Sequence, residues 1–250
     1  MINNKDEYVK MNKVERRHWW YVSLHALTLN AIKKNFNLLN ISILDAGCGT
    51  GGLLSFLKNN NYYLLQGFDI ADDAVKIAKS KNMDVKNGDL KCYKFDRVSY
   101  DVIISNDTMY FFDLKEKKHI LNEFHKSLNT NGLVILNLPS FNIFSGIHDQ
   151  AVGIQKRFDR KMINEMINKS KYKIEEEIYW PFLLTPIIFF VRFLQRIQLK
   201  INKSMKIESD IGLPPAFINN LLIKLVKLEN KIFSSKPFGS SLFLVIKKIN

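Results

Sequence analysis

Cysteine is scarce, with only Cys48 and Cys92 in 250 residues. Two are too few for a disulfide framework or a structural zinc site, and their scarcity points to a reducing, cytoplasmic setting. No metal-ligand cluster stands at diagnostic spacing, so no metal is expected. The opening MINNKDEYVK is charged and lacks an apolar core, so it does not read as a signal peptide. Long apolar runs are also missing. The uncharged run from Ile178 to Val191 has 14 residues and two prolines, whereas a membrane span needs about 20 apolar residues. No internal repeat is visible. With 46% hydrophobic and 24% charged residues, the chain is neither disordered, collagen-like nor a coiled coil.

What is present in excess is positive charge. Lys and Arg total 37 against 24 acids, for a net of +13. Residues 151–250 hold 18 basic and 8 acidic side chains, so most of the excess lies there. A basic C-terminal part suits an anionic partner, nucleic acid or a lipid surface, or serves solubility alone.

The pattern along the chain is helical over about 13–36, with His18, Trp19, Trp20 and Tyr21 at its start. Ile41–Ala46 reads as a short strand, followed by glycines and a helix over about 52–59. Tyr63–Phe68 is a second strand, ending at Asp69. Asp72 and Asp73 open a helix to about Ser80. Tyr100–Ser105 and Leu133–Leu138 read as buried strands, separated by a helix over 115–128 and an Asn131-Gly132 turn. A helix near 160–170 and a strand near 172–179 follow, and Ser241–Ile246 is the last strand. Strands alternating with helices imply a parallel sheet covered on both faces. Residues 181–236 look like an insertion between the last two strands, with an amphipathic helix near 216–233.

The strongest motif is Ile43-Leu44-Asp45-Ala46-Gly47-Cys48-Gly49-Thr50-Gly51-Gly52, a strand running through glycines into a helix. Glycines permit a tight turn and close approach of a ligand, and the helix offers unsatisfied N–H groups. Gly47, Gly49 and Gly52 formally satisfy a dinucleotide fingerprint, which alone is weak. With Asp45 ahead of them, the D-x-G-C-G-x-G pattern resembles motif I of the class I S-adenosylmethionine-dependent methyltransferases. Asp69, 24 residues after Asp45, Gly88-Asp89-Leu90, Tyr100–Ile104 and Asn131–Val134 resemble further segments of that family in order. The resemblance implies a Rossmann-like, doubly wound α/β fold. Its sheet would be seven-stranded and mostly parallel, with an antiparallel last strand and a helical insertion before it. The domain would span 41–180 and 237–250, with 1–40 as an N-terminal helical cap.

The resemblance also implies S-adenosyl-L-methionine as cofactor. Asp45 would bear on the amino end of its methionine part, while Gly47, Cys48, Gly49, Gly51 and Asn106 would line the site. Asp69 would accept from both ribose hydroxyls. Ile70, Asp89 and Leu90 would meet the adenine. A narrower resemblance, to a bacterial methyltransferase subgroup that accompanies surface-glycan genes, rests on Pro139–Phe158, on Glu15 with His18–Tyr21, and on Glu229 with Pro237–Leu242. This sequence departs from that pattern at Ile154, Lys156, Phe158, Leu24, His25 and Tyr110-Phe111.

His148 and Asp149 follow the fifth strand, at the edge where ligands bind in open α/β sheets. His148 is the candidate base, with Asp149 orienting it or acting itself; the other reading is a loop-capping pair that shapes the substrate gate. His18, Trp19, Trp20, Tyr21, Tyr110 and Arg157 are candidates for the substrate site or its lid. The segment Ser105-Asn106-Asp107-Thr108 lacks the Pro-Pro of exocyclic base-amine methylases, which argues against that chemistry.

Read as a helix, 187–206 places Arg192, Arg196, Lys200, Lys203 and Lys206 on one face. Ile187, Phe190, Leu194, Ile197, Ile201 and Met205 fall opposite. Two readings stay open: a helix lying on an anionic membrane surface, or a cap packed on the domain with its basic face solvated. The expected function is methyl transfer to an O or N of a small molecule, a glycan or a lipid-linked glycan intermediate. The alternatives are a non-catalytic membrane-associated or scaffold protein that keeps the pocket, and an RNA methyltransferase, though a nucleic-acid partner is not favoured. The expected location is the cytoplasm, with a peripheral seat on the inner face of the membrane as its variant.

Overall fold

The computed structural model describes residues 5–95, 99–201, 212–233 and 235–249. Seven strands run as β1 (Ile43–Ala46), β2 (Leu65–Asp69), β3 (Val85–Asn87), β4 (Tyr100–Asn106), β5 (Leu128–Pro139), β6 (Tyr172–Trp180) and β7 (Ser241–Lys248). The helices are α1 (Lys5–Val14), α2 (Trp19–Asn35), α3 (Gly52–Lys58), α4 (Asp72–Ser80), α5 (Leu114–Ser127), α6 (Ile147–Val152), α7 (Arg160–Met166), α8 (Thr185–Ile201) and α9 (Ala216–Ile232).

The strands form one sheet in the order β3-β2-β1-β4-β5-β7-β6. Pairing is parallel from β3 to β5, while β7 lies antiparallel between β5 and β6. β6 therefore runs with β5, and its carboxyl end opens on the same edge as β1 and β4. Both faces of the sheet are covered, which is why its central strands read as unbroken apolar runs. Along β5, Leu133 and Ile135 face a core shared with Leu24, Ile32, Leu57 and Trp180. Val134, Leu136 and Leu138 face the other, with Phe124, Ile163 and Met166.

Several local features depart from the sequence reading, among them α1 and β3, which it did not include. The expected helix over 13–36 is broken at residues 15–18. There His18 takes an extended backbone and its Nδ1 accepts from Trp20 N at 3.3 Å. Asn219 Oδ1 accepts from Trp19 N at 2.8 Å, so the first turn of α2 is satisfied from 200 residues away. The Asn131-Gly132 turn lies inside β5 as a bulge, with Asn131 at φ 62. The helix expected to 170 ends at Met166. The short α6, which carries His148 and Asp149, was not read as an element, because six residues give no periodic signal.

Two helices, α8 and α9, stand between β6 and β7. One carboxylate ties this insertion down. Buried Glu229 accepts from Phe182 N and Leu183 N, both at 2.8 Å, and pairs with Lys236 at 3.3 Å. Helix α8 is described to Ile201, so Lys203, Met205 and Lys206 lie outside the described residues.

Candidate active site

The strand order reverses between β1 and β4, and a crevice opens where their carboxyl ends diverge. β1 delivers Asp45 there, almost fully buried, and the chain turns at once through Gly47. Its φ of +85 is the left-handed region, and a Cβ would stand 2.4 Å from Thr108 Cγ2, so only glycine fits. Gly47 N and Cys48 N both donate to Phe68 O, at 2.8 and 3.0 Å. Gly51 then caps the start of α3.

Asp69 closes the loop from the neighbouring strand. Its Oδ2 accepts from Gly49 N at 2.8 Å and its Oδ1 from Ala71 N at 2.9 Å. Each oxygen keeps a lone pair for a ligand hydroxyl. Gly88 N donates to Asp69 O at 3.0 Å, which sets Asp89 and Leu90 beside the loop. Leu90 Cδ1 lies 3.8 Å from where a Cβ on Gly47 would be. Ile70 is 41% exposed at the rim.

Helix α1 lies over this loop. Met11 reaches Gly49, and Tyr8 is buried in the field of Asp69. Buried Glu15 fastens it: Thr50 Oγ1 donates to Glu15 Oε2 at 2.7 Å, and Lys81 pairs with its other oxygen while donating to Thr50 O at 2.7 Å. The sequence singled out Glu15 only as part of a pattern; its work as a clasp between α1, the glycine loop and α4 has no local signature.

The electrostatics of the crevice ask for a cation. Burial, then the charges of Asp69 and Glu15, push the Asp45 carboxyl up to about 8. Asp69 is also raised by burial, against the lowering effect of its backbone donors. At the end of β4, Asn106 Oδ1 is buried with no hydrogen-bond partner in the protein. An ammonium group entering here would relieve Asp45 and satisfy Asn106, and S-adenosylmethionine carries both an ammonium and a sulfonium. The residues present therefore fit that cofactor. Burial also pushes the Cys48 thiol well up, so it stays neutral.

Beyond Asn106 the wall belongs to a group the sequence reading passed over. Asp107 adopts φ 52, a conformation uncommon outside glycine and short polar residues. Its oxygens accept from Asn137 Nδ2 at 3.2 and 3.0 Å, and Asn137 Oδ1 accepts from Trp180 Nε1 at 2.9 Å. Trp180 in turn stacks on Trp20 with centroids 5.6 Å apart. Burial pushes Asp107 up to about 7, against the pull of Asn137, His148 and Arg157. Tyr110 and Tyr21 lie in its field and are themselves raised by burial.

His148 on α6 contributes to the field at the Asp107 carboxylate, and Asp149 is engaged elsewhere. Both oxygens of Asp149 receive Arg157, Nε and Nη2 each at 2.7 Å, and Arg157 Nη1 also donates to Ser240 O at 2.9 Å. This buried clamp ties α6 to the start of β7. His18 is occupied as the cap of α2 and Trp19 N is bonded to Asn219 of α9, while Tyr21 and Tyr110 lie in the field of Asp107.

A mostly parallel seven-stranded sheet in this order, with a glycine loop after β1 and an acid ending β2, is the fold of the class I S-adenosylmethionine-dependent methyltransferases. Residues 43–132 match the family model of a methyltransferase domain. A carboxy-S-adenosyl-L-methionine synthase of Campylobacter jejuni is 32% identical over 104 residues, which cover 40% of this chain and 44% of that protein. The chain thus spans under half the length of the curated relatives it matches. Among solved structures, a Haloferax volcanii protein described as a methyltransferase, in complex with the Trm112 activator, aligns with TM-score 0.61 at 16% identity, covering 100% of this chain and 98% of that one. An S-adenosylmethionine-dependent methyltransferase of Clostridium acetobutylicum aligns with TM-score 0.58 at 11% identity, covering 91% of each.

Proposed function

We propose that this protein transfers a methyl group from S-adenosylmethionine to an oxygen or nitrogen of a glycan, a lipid-linked glycan intermediate or another small acceptor. The observation that carries the reading is the recessed Asp107, raised to about 7 beside the cation-seeking cradle of Asp45, Asp69 and Asn106.

The cofactor supplies a methyl carbon already activated by the sulfonium. The protein's residues do the rest. Asp45 and Asn106 would hold the ammonium end, Asp69 the ribose hydroxyls, and Asp89 with Leu90 and Ile70 the adenine. Asp107, with His148 in its field, takes the proton from the acceptor. Asn137 and Trp180 hold Asp107 in register, and Tyr21 and Tyr110 wall the acceptor from bulk water.

Calorimetry with S-adenosylhomocysteine tests the cradle. Micromolar binding is expected for the wild type and at least a tenfold loss for Asp69→Ala, about what one lost charge-assisted hydrogen bond removes. Production of S-adenosylhomocysteine with a glycolipid fraction then tests transfer; none with any glycan fraction overturns the glycan acceptors and leaves the small-molecule one. The pH dependence follows from Asp45. With its pKa at about 8 the empty site is protonated at neutrality, and a bound ammonium favours the carboxylate. Binding should then release a proton, and affinity should rise with pH, by up to about tenfold per unit, until about pH 8. Binding heats measured in buffers of different ionisation enthalpy check this; Asp45→Asn should abolish the proton release.

A further inference from the structure

Helix α8 is held to the body along one side only. Of its residues only Thr185 is buried. On the held side, Arg196 Nη1 donates to Ile143 O, Gln195 Oε1 accepts from Ile147 N at 3.3 Å, and Arg192 Nη1 donates to Gln195 Oε1 at 2.8 Å. The sequence reading set the basic side against solvent or lipid. In the structure the two arginines turn toward the segment 143–147 and the apolar side faces out. There Ile187, Phe190, Leu194, Ile197 and Ile201 are 63, 59, 44, 38 and 80% exposed. Their spacings of three and four residues make one continuous strip, and Phe193 widens it at 45% exposed. An exposed apolar strip of this size marks an interaction surface.

We propose that this strip lies on an anionic lipid bilayer. Charge decides the occupant. No acid occurs between Glu177 and Glu208, and residues 151–250 carry 18 basic against 8 acidic side chains. A second copy would bring two chains of net charge +13 together, whereas an anionic leaflet attracts the lysines and arginines of this chain. No helix among the described residues is long and apolar enough to cross a membrane, so α8 lies in the interface plane, its apolar strip among the upper acyl chains. The hydrogen bonds from α8 reach Ile143 and Ile147, ahead of and at the start of the helix that bears His148, so docking through the strip holds that helix close to the bilayer, with α8 between them. The surface stands without the methyl-transfer reading; only the delivery of an acceptor from the bilayer rests on it.

The test is sedimentation of the full chain with vesicles of phosphatidylglycerol and phosphatidylethanolamine, or of phosphatidylcholine alone. Pelleting with the anionic vesicles, weakened by salt, is expected, with little or none on phosphatidylcholine. The pair Phe190→Asp and Leu194→Asp should reduce pelleting about tenfold or more. Both side chains are exposed, so thermal melting and S-adenosylhomocysteine binding should be unchanged. Failure to pellet with anionic vesicles at low ionic strength overturns the proposal, as does pelleting that the pair leaves intact. So does a dimer in analytical ultracentrifugation that the same pair dissociates. Cofactor binding is read separately, so failure of the membrane surface and failure of the enzyme reading are distinguishable.

Discussion

Asp107→Asn is expected to lower turnover by about 10²–10⁴-fold, the usual contribution of a positioned base, with S-adenosylhomocysteine binding retained. The substitution keeps the shape and the Asn137 contact but removes the site that can hold a proton. The sign of the pH effect follows from the raised value. Below about pH 7 the carboxyl is protonated and cannot accept, so kcat/KM of the wild type should climb through pH 7 and level above it. The variant should lose that limb. Stability should move the other way: burial resists ionisation of Asp107, so the neutral amide should melt no lower than the wild type at pH 7. A variant that keeps full turnover and the same pH profile would move the base to another group.

Asp149→Ala should destabilise the fold by about 3–5 kcal/mol, because it leaves the Arg157 guanidinium buried without its counter-charge. For a chain of this size that is a fall in melting temperature of about 6–20 °C. Joint replacement, Asp149→Leu with Arg157→Met, removes both charges and should recover most of the loss. The double variant should also recover turnover, since α6 regains its seat and His148 its place. A single variant that melts like the wild type but has no turnover would instead make Asp149 a participant in the chemistry.

These two substitutions show where the sequence was legible and where it was not. The strands around Ile43–Ala46, Leu65–Asp69 and Tyr100–Asn106 were readable because buried parallel strands are continuous apolar runs bounded by turn residues. The glycine loop was readable because every residue of the motif is local. His148 and Asp149 read as a pair because they are neighbours in the chain. On a helix, neighbours point about 100° apart, and Asp149 turned to Arg157, leaving His148 to point elsewhere. The Asp107 site depends on Asn137, 30 residues on, and on Trp180, 43 residues beyond that; no window of sequence contains all three. The break between α1 and α2 likewise depends on Asn219 and on Glu15 meeting Lys81.

The chain holds three tryptophans, Trp19, Trp20 and Trp180. Trp20 stacks on Trp180, whose indole N–H is bonded to the side chain that holds Asp107, and Trp19 opens the same helix as Trp20. Tryptophan emission from this protein, excited at wavelengths that spare its nine tyrosines, is therefore not an average over the molecule. It originates around α2 and the end of β6, so the unlabelled chain carries its own optical probe of the surroundings of Asp107.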